Sequence, residues 1–336
     1  MTSQRRIQVP TFLGVGLALV TTLLVSSPVS AEPEKLSSSC PGTESELSLR
    51  DLKSSASAIG CDLLNRAVKF EGNRLRVPPP GFGVGIEKSF ADSAGTIFSL
   101  ETAADGRVTY STGGQSPSGS VTAAASPSAC SDGAYNDNDV KWDGTYYWYL
   151  GDGKRPDGMS TTLVIERLKD SINNITDSYN DCGFSDLVSA TSYYRGASTR
   201  ESEISTVGGD STCESSYYQD GYSVVDFGNL DGNGGAPTAT TCWWYQISSG
   251  PDTMTSVDIR FNTTNYRFTN VPNESICNGW QDLESVATHE FGHGFGLGHV
   301  SEASHGRLTM STQNASCDAS QRTLGQGDIL GLRLLY

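Results

Sequence analysis

The sequence predicts an α+β fold, and three observations predict it. After Asp157-Gly158-Met159-Ser160, the residues Ile165, Leu168, Ile172, Ile175 and Tyr179 recur near the i, i+3, i+4, i+7 spacing of a helix with one buried face. Segments rich in aromatic and β-branched residues read as strands: Lys141–Leu150, Leu187–Tyr194, Tyr222–Phe227, Thr240–Ile247 and Val257–Phe261. A further long helix comes after them, with His289 and His293 four residues apart on one face.

At the amino end, Arg5 and Arg6 precede an apolar run from Phe12 to Val25, and Val29-Ser30-Ala31 supplies small residues ahead of Glu32. This is the pattern of a secretory signal peptide over residues 1–31, too short and wrongly flanked for a membrane span. No later stretch is apolar enough to cross a membrane, so an exported, extracellular chain with no membrane partner is expected. Eight cysteines fit an oxidising destination. None stands in a C-x-x-C pair, which argues against a cysteine zinc site. Pairing of nearest neighbours gives Cys40–Cys61, Cys130–Cys182, Cys213–Cys242 and Cys277–Cys317. The net charge is −15, from 23 basic and 38 acidic side chains. That excess repels phosphates and argues against a nucleic-acid partner; solubility outside the cell is the plain reading.

Residues 32–129 differ in character from the rest of the mature chain. Leu47, Leu52, Ile59, Leu63 and Leu64 give Glu44 to Phe70 a helical spacing, interrupted by serine and glycine. Val77-Pro78-Pro79-Pro80-Gly81 breaks the chain. A β-like stretch through Ile97, Ser99, Val108 and Tyr110 folds about Asp105-Gly106. Gly113 to Ser128, rich in Gly, Ser, Ala and Pro, reads as a linker. A second unit, residues 130–336, then begins near Cys130. Within it Asp226–Gly235 concentrates oxygen ligands and glycines without the spacing of an EF-hand loop, so Ca2+ and a plain polar turn stand as equal readings. Asn174, Asn262, Asn273 and Asn314 are N-x-S/T acceptors, which carry glycans only where the host modifies exported chains.

The most specific stretch is His289-Glu290-Phe291-Gly292-His293-Gly294-Phe295-Gly296-Leu297-Gly298-His299, which reads H-E-x-x-H-x-x-G-x-x-H. His289 and His293 leave the same helix face at the spacing at which two imidazoles share one zinc ion. Gly296 can end the helix in the left-handed backbone that a sharp reversal needs, which lets His299 return as a third ligand. Three protein ligands leave a position for water, the arrangement of a catalytic zinc rather than a structural one. Glu290, beside the first histidine, can reach that water without being a ligand. Five fixed positions at about one in twenty each give a chance match of roughly one in ten thousand in a chain this long. Only 4 histidines occur, and three are in this string.

This string resembles the signature of metzincin zinc metalloproteases, which also carry a methionine turn beyond the third histidine. Leu308-Thr309-Met310-Ser311 matches that turn, and the resemblance gives Met310 the place of an apolar floor under the three imidazoles. The segments Ser256–Phe268, Trp280 into the motif, and Leu324–Tyr336 are similar to matrixins specifically. The resemblance covers roughly the last two hundred residues. It implies a twisted, mostly parallel sheet, a long zinc-binding helix and a small C-terminal subdomain. There are departures. Val300 stands where matrixins usually have serine, and the methionine turn lacks their Tyr and Pro. Ser311 and Thr312 cannot supply the tyrosine ligand of astacins. His305 alone is left over, so the second, structural zinc of matrixins cannot be built in its usual form. Cys40 and Cys61 lack the Pro-Arg-Cys-Gly context of the matrixin cysteine switch, although residues 32–129 hold the place of a propeptide.

The expected activity is that of a monomeric, secreted zinc endopeptidase acting on protein or peptide substrates. Metal-activated water would attack the peptide bond, Glu290 would be the general base, and Thr240–Ile247 would be the edge strand that aligns the substrate. Two alternatives stand beside it: a zinc hydrolase restricted to a specialised substrate such as cell-wall peptides, and a non-catalytic binding protein on the same fold.

Overall fold

The elements run in the order β1 (Glu46–Ser48), β2 (Ala67–Phe70), β3 (Asn73–Arg76), β4 (Phe82–Ser89), β5 (Thr96–Thr102) and β6 (Val108–Gly113), all before residue 129. After it come β7 (Val140–Lys141), β8 (Thr145–Leu150), α1 (Thr161–Thr176), β9 (Thr191–Ala197), β10 (Ile204–Val207), β11 (Asp210–Cys213) and β12 (Ser223–Gly228). The chain continues through β13 (Ala239–Gln246), β14 (Asp252–Asn262), β15 (Phe268–Thr269), β16 (Gln281–Asp282), α2 (Leu283–Gly294), α3 (Glu302–His305) and α4 (Gln326–Leu335). This computed structural model describes residues 40–52, 56–113, 126–215, 220–232, 235–272 and 277–336, which lie in one compact unit. The signal-peptide segment, most of the Gly/Ser-rich linker, part of the Asp226–Gly235 loop and Asn273 lie outside the described residues.

The result is a mixed α/β architecture. One sheet runs β6-β5-β4-β13-β14-β12-β8-β9, with β7 added alongside β14. From β14 through β12 and β8 to β9 the neighbours are parallel, while β13 is antiparallel to β14. The N-terminal β4, β5 and β6 continue the same sheet past β13, each antiparallel to its neighbour. A second sheet, β1-β2-β3-β11-β10, mixes strands from both parts of the chain.

Period-two alternation along β13 explains how the layers stack. Ala239, Trp243 and Tyr245 join a core with Leu168, Ile172 and Ile175 of α1 and Val286 and Phe291 of α2. Cys242 and Trp244 point the other way, into a core with Leu47, Val68 and Leu75 of the second sheet and Val84, Ile86, Phe98 and Leu100 of β4 and β5. Helices therefore cover one face of the large sheet and the small sheet covers the other. On β4 the same alternation puts Val84 and Ile86 on the small-sheet side, and Gly83, Gly85 and Glu87 on the helix side.

Helix α1 begins where the sequence places it, with the Ser160 hydroxyl accepting the Leu163 N–H at 3.2 Å. Leu168, Ile172 and Ile175 are buried, whereas Tyr179 lies past the helix end and is exposed. The β5–β6 hairpin also forms, about Gly106 at φ +86°. The helical spacing of Glu44–Phe70 does not become a helix in the described residues. Leu47 sits on β1, Leu52 and Leu63 are buried from turns, and Ile59 and Leu64 are exposed. Positive φ at Asp62 and Asn65 (52° and 63°) interrupts any helix there, a conformation that short polar side chains tolerate.

The four disulfides are Cys40–Cys61, Cys130–Cys182, Cys213–Cys242 and Cys277–Cys317, the nearest-neighbour pairing. They are consistent with an oxidising, extracellular setting. Among the described residues no helix is long and apolar enough to cross a membrane. Asn174, Asn262 and Asn314 are buried, so these acceptors are closed to glycosylation in the folded chain.

Candidate metal centre

Asp282 starts α2 by accepting the Ser285 N–H at 2.9 Å, and is itself gripped by Arg322 at 2.6 and 2.8 Å. His289 and His293 come next, one turn apart. The helix stops at Gly294, and Gly296 takes φ +97°. A Cβ at that position would stand 1.9 Å from the Val140 carbonyl oxygen, so only glycine lets the chain reverse this tightly. The reversal carries His299 back to the helix.

The three Nε2 atoms converge, with His289 3.0 Å from His293 and His299 3.1 Å from each of the others. His289 Nδ1 lies 2.8 Å from the Thr309 carbonyl and His293 Nδ1 2.9 Å from the Leu297 carbonyl. A carbonyl can only accept, so both Nδ1 atoms carry protons and both Nε2 atoms present lone pairs. Burial holds all three imidazoles neutral: His289 and His299 are lowered to about 3 and His293 well below its ordinary value, and for His289 and His293 neighbouring histidines add to the effect. Facing lone pairs at this distance repel unless a cation lies between them. A tetrahedral zinc with Zn–N of 2.0–2.1 Å separates its nitrogens by about 3.3 Å, so the residues fit the ion.

A fourth donor, absent from the sequence expectations, completes the group. Glu87 on β4 is fully buried, with Oε1 3.2 Å from His299 Nε2 and Oε2 3.9 Å from His293 Nε2. Donor atoms of Glu87, His289, His293 and His299 all lie within 4.8 Å of one another. Burial pushes the Glu87 carboxyl up to about 8, against the smaller opposing effect of hydrogen bonds from its neighbours. Its one trace in the sequence is the alternation Gly83, Gly85, Glu87, a strand face that carries nothing larger than hydrogen until a carboxylate appears.

Glu290 is also fully buried. The hydroxyl of Thr241, on β13, donates to its Oε2, and Oε1 makes no hydrogen bond of ordinary geometry. Burial first, and then the adjacent Glu87 carboxyl, raise its pKa well above the usual range. The Met310 sulfur packs where a Gly292 side chain would stand, one residue before His293. Met310 and Thr309 donate their N–H groups to the buried Asp328 carboxyl at 3.2 and 3.0 Å, and Gly325 adds a third at 2.8 Å. Asp328→Ala leaves three buried donors without acceptors, at about 1–3 kcal/mol each. A loss of about 3 kcal/mol or more is expected in urea unfolding, and an unchanged midpoint would refute Asp328 as the anchor of this turn.

His305 stands apart from the cluster, 2.9 Å from the Asp132 carboxylate, and ties α3 to the segment before β7. Asp226, the first residue of the loop considered for calcium, is ion-paired with Arg260 at 2.9 Å.

The family model of the matrixins matches residues 137–336, more than half of the chain. The chain belongs to the matrixin family. Matrixins are zinc-dependent metallopeptidases acting on protein or peptide substrates, and the His/Glu cluster has the donor chemistry for the zinc ion. No curated protein matches the chain.

Proposed function

We propose that the chain is a secreted zinc endopeptidase in which His289, His293 and His299 hold the ion, Glu290 is the general base and Met310 lies beneath the imidazoles. In this reading residues 32–129 are a propeptide and residues 130–336 the catalytic domain, with α2 as the zinc helix. The observation that carries it is the convergence of three neutral imidazoles through their Nε2 atoms beside a buried carboxyl.

Zinc bound there supplies a Lewis acid and lowers the pKa of its water to about 7. The chain's own residues do the rest. Thr241 fixes one oxygen of Glu290 and leaves Oε1 to take the proton of the attacking water. Glu290 then delivers that proton to the leaving amine. The segment Thr240–Ile247, expected as an edge strand, is flanked on both sides as β13, by β14 and β4. Only with β4 withdrawn would its main chain offer an extended peptide the hydrogen bonds of one more strand. The carbonyls of Thr309 and Leu297 keep two imidazoles in the tautomer that binds metal. Export is inferred from the signal-peptide pattern and is supported by the disulfides.

The test is azocasein hydrolysis by the purified chain and by its Glu87→Ala variant, with metal content measured, before and after 1,10-phenanthroline and after zinc is restored. Chelator-sensitive cleavage rescued by zinc, with about one zinc per chain, is the expected result. Bound zinc without cleavage by either protein overturns the endopeptidase reading.

A further inference from the structure

We propose that residues 40–113 are a built-in substrate mimic, in which β4 fills the substrate lane along β13 and Glu87 is a fourth ligand in the position water would take. The proposal rests on the metal-centre reading above and adds the control of that site.

Four observations carry it. First, β4 pairs with β13 antiparallel over eight residue pairs, from Phe82 opposite Gln246 to Ser89 opposite Ala239. This leaves none of the β13 edge for a peptide. Second, the pairing sets Glu87 directly opposite Thr241, the residue whose hydroxyl holds Glu290. One carboxyl thereby faces both the histidines and the general base. Its side chain is fully buried against the cluster.

Third, β4 is shaped to sit close. A Cβ at Gly83 would meet the Tyr245 ring at 2.1 Å, and one at Gly85 would meet the Trp243 ring at 2.1 Å. The two aromatic side chains of β13 occupy the space that side chains at these glycines would need. Past β4 the chain wraps the last histidine: Phe90 bridges to Gln313, the Gly95 N–H donates to the Thr312 carbonyl at 3.1 Å, and a Cβ on Gly95 would lie 2.6 Å from the His299 ring. Fourth, no disulfide holds this unit in place. Cys40–Cys61 closes within it, and the other three close within residues 130–317. The unit is kept by strand pairing and packing alone, so one cut between it and the second unit leaves it free to exchange with substrate.

A carboxylate suits this task because it is a good but exchangeable zinc ligand and adds a negative charge to three neutral imidazoles. The disulfide between Cys40 and Cys61 means that neither thiol serves as the blocking ligand.

The experiment uses the full chain with cobalt(II) in place of zinc, whose visible absorption reports the ligand set, titrated with acetohydroxamic acid. The wild-type spectrum is expected to resist the hydroxamate. In Glu87→Ala and the near-isosteric Glu87→Gln the spectrum should shift, with hydroxamate binding tightened at least about tenfold, or 1.4 kcal/mol. Gly85→Ala, which leaves every donor in place but wedges β4 off Trp243, should open the metal in the same way. Circular dichroism and thermal unfolding identify any variant that has lost its fold, and Glu87→Gln carries the test if the others do. A wild-type chain that binds hydroxamate as tightly as Glu87→Gln overturns the mimic but leaves the metal centre standing. Failure of every protein to bind cobalt overturns both.

Discussion

Glu290→Gln, introduced alongside Glu87→Ala, lowers azocasein turnover by about 10²–10⁴-fold while about one zinc per chain stays bound. The amide keeps the shape of the side chain and can still bond to Thr241, so the fold and the histidine geometry are left intact. What it lacks is the ability to accept a proton from water and give it back to the amine. Glu290 is not one of the clustered donors, so metal content should not fall. Turnover near that of the single variant would remove Glu290 from the chemistry. Loss of zinc together with activity would instead make it a structural support of the centre.

The second large effect is metal removal. His293→Ala takes out the donor whose Nε2 lies 3.0 and 3.1 Å from the other two and whose Nδ1 is held by the Leu297 carbonyl. Two remaining imidazoles with facing lone pairs make a poor site, and the chain is expected to be recovered nearly free of zinc and inactive. The change should also show in stability. A ligand at a thousand times its Kd stabilises the folded state by about 4 kcal/mol, so the wild-type melting temperature should rise with added zinc and fall on chelation. The variant should melt at one temperature throughout. If it keeps a full zinc and a zinc-dependent melt, the three-histidine assignment fails.

Local chemistry made much of this legible in the sequence. The histidine string needs only helix spacing and one glycine, and the structure brings its members to within about one hydrogen-bond length. The hydroxyl of Ser160 and the aspartate before α2 cap their helices as short polar side chains do. Strands β12, β13 and β14 track the aromatic and β-branched segments closely. Where the reading failed, distance was the cause. Leu47, Leu52 and Leu63 keep a helical period because turns and a short strand drop them into the same core, one supplied partly by Ile204, Cys213, Cys242 and Trp244 much later in the chain, while Leu64 of the same pattern is exposed. Glu87 escaped for the same reason: its partners come about two hundred residues afterwards, and the Gly83, Gly85, Glu87 alternation does not say which residues that strand face will meet. In Asp226–Gly235, which reads equally as an ion loop and as a polar turn, the Asp226 charge answers Arg260 on the neighbouring strand, a partner that the local sequence does not reveal.

The position of β4 also decides how the molecule meets its own copies. Bare, β13 would be an eight-residue rim reading Ala-Thr-Thr-Cys-Trp-Trp-Tyr-Gln, a flat aromatic template for sticking to another chain. With the N-terminal hairpin added, the rim on that side moves outward to β6, Val-Thr-Tyr-Ser-Thr-Gly, whose central residues are polar or carry a hydroxyl and face solvent. A newly folded chain thus shows its neighbours a hydrophilic border from the moment the sheet closes. Colloidal safety and silence of the metal centre come from the same eight hydrogen-bonded residues.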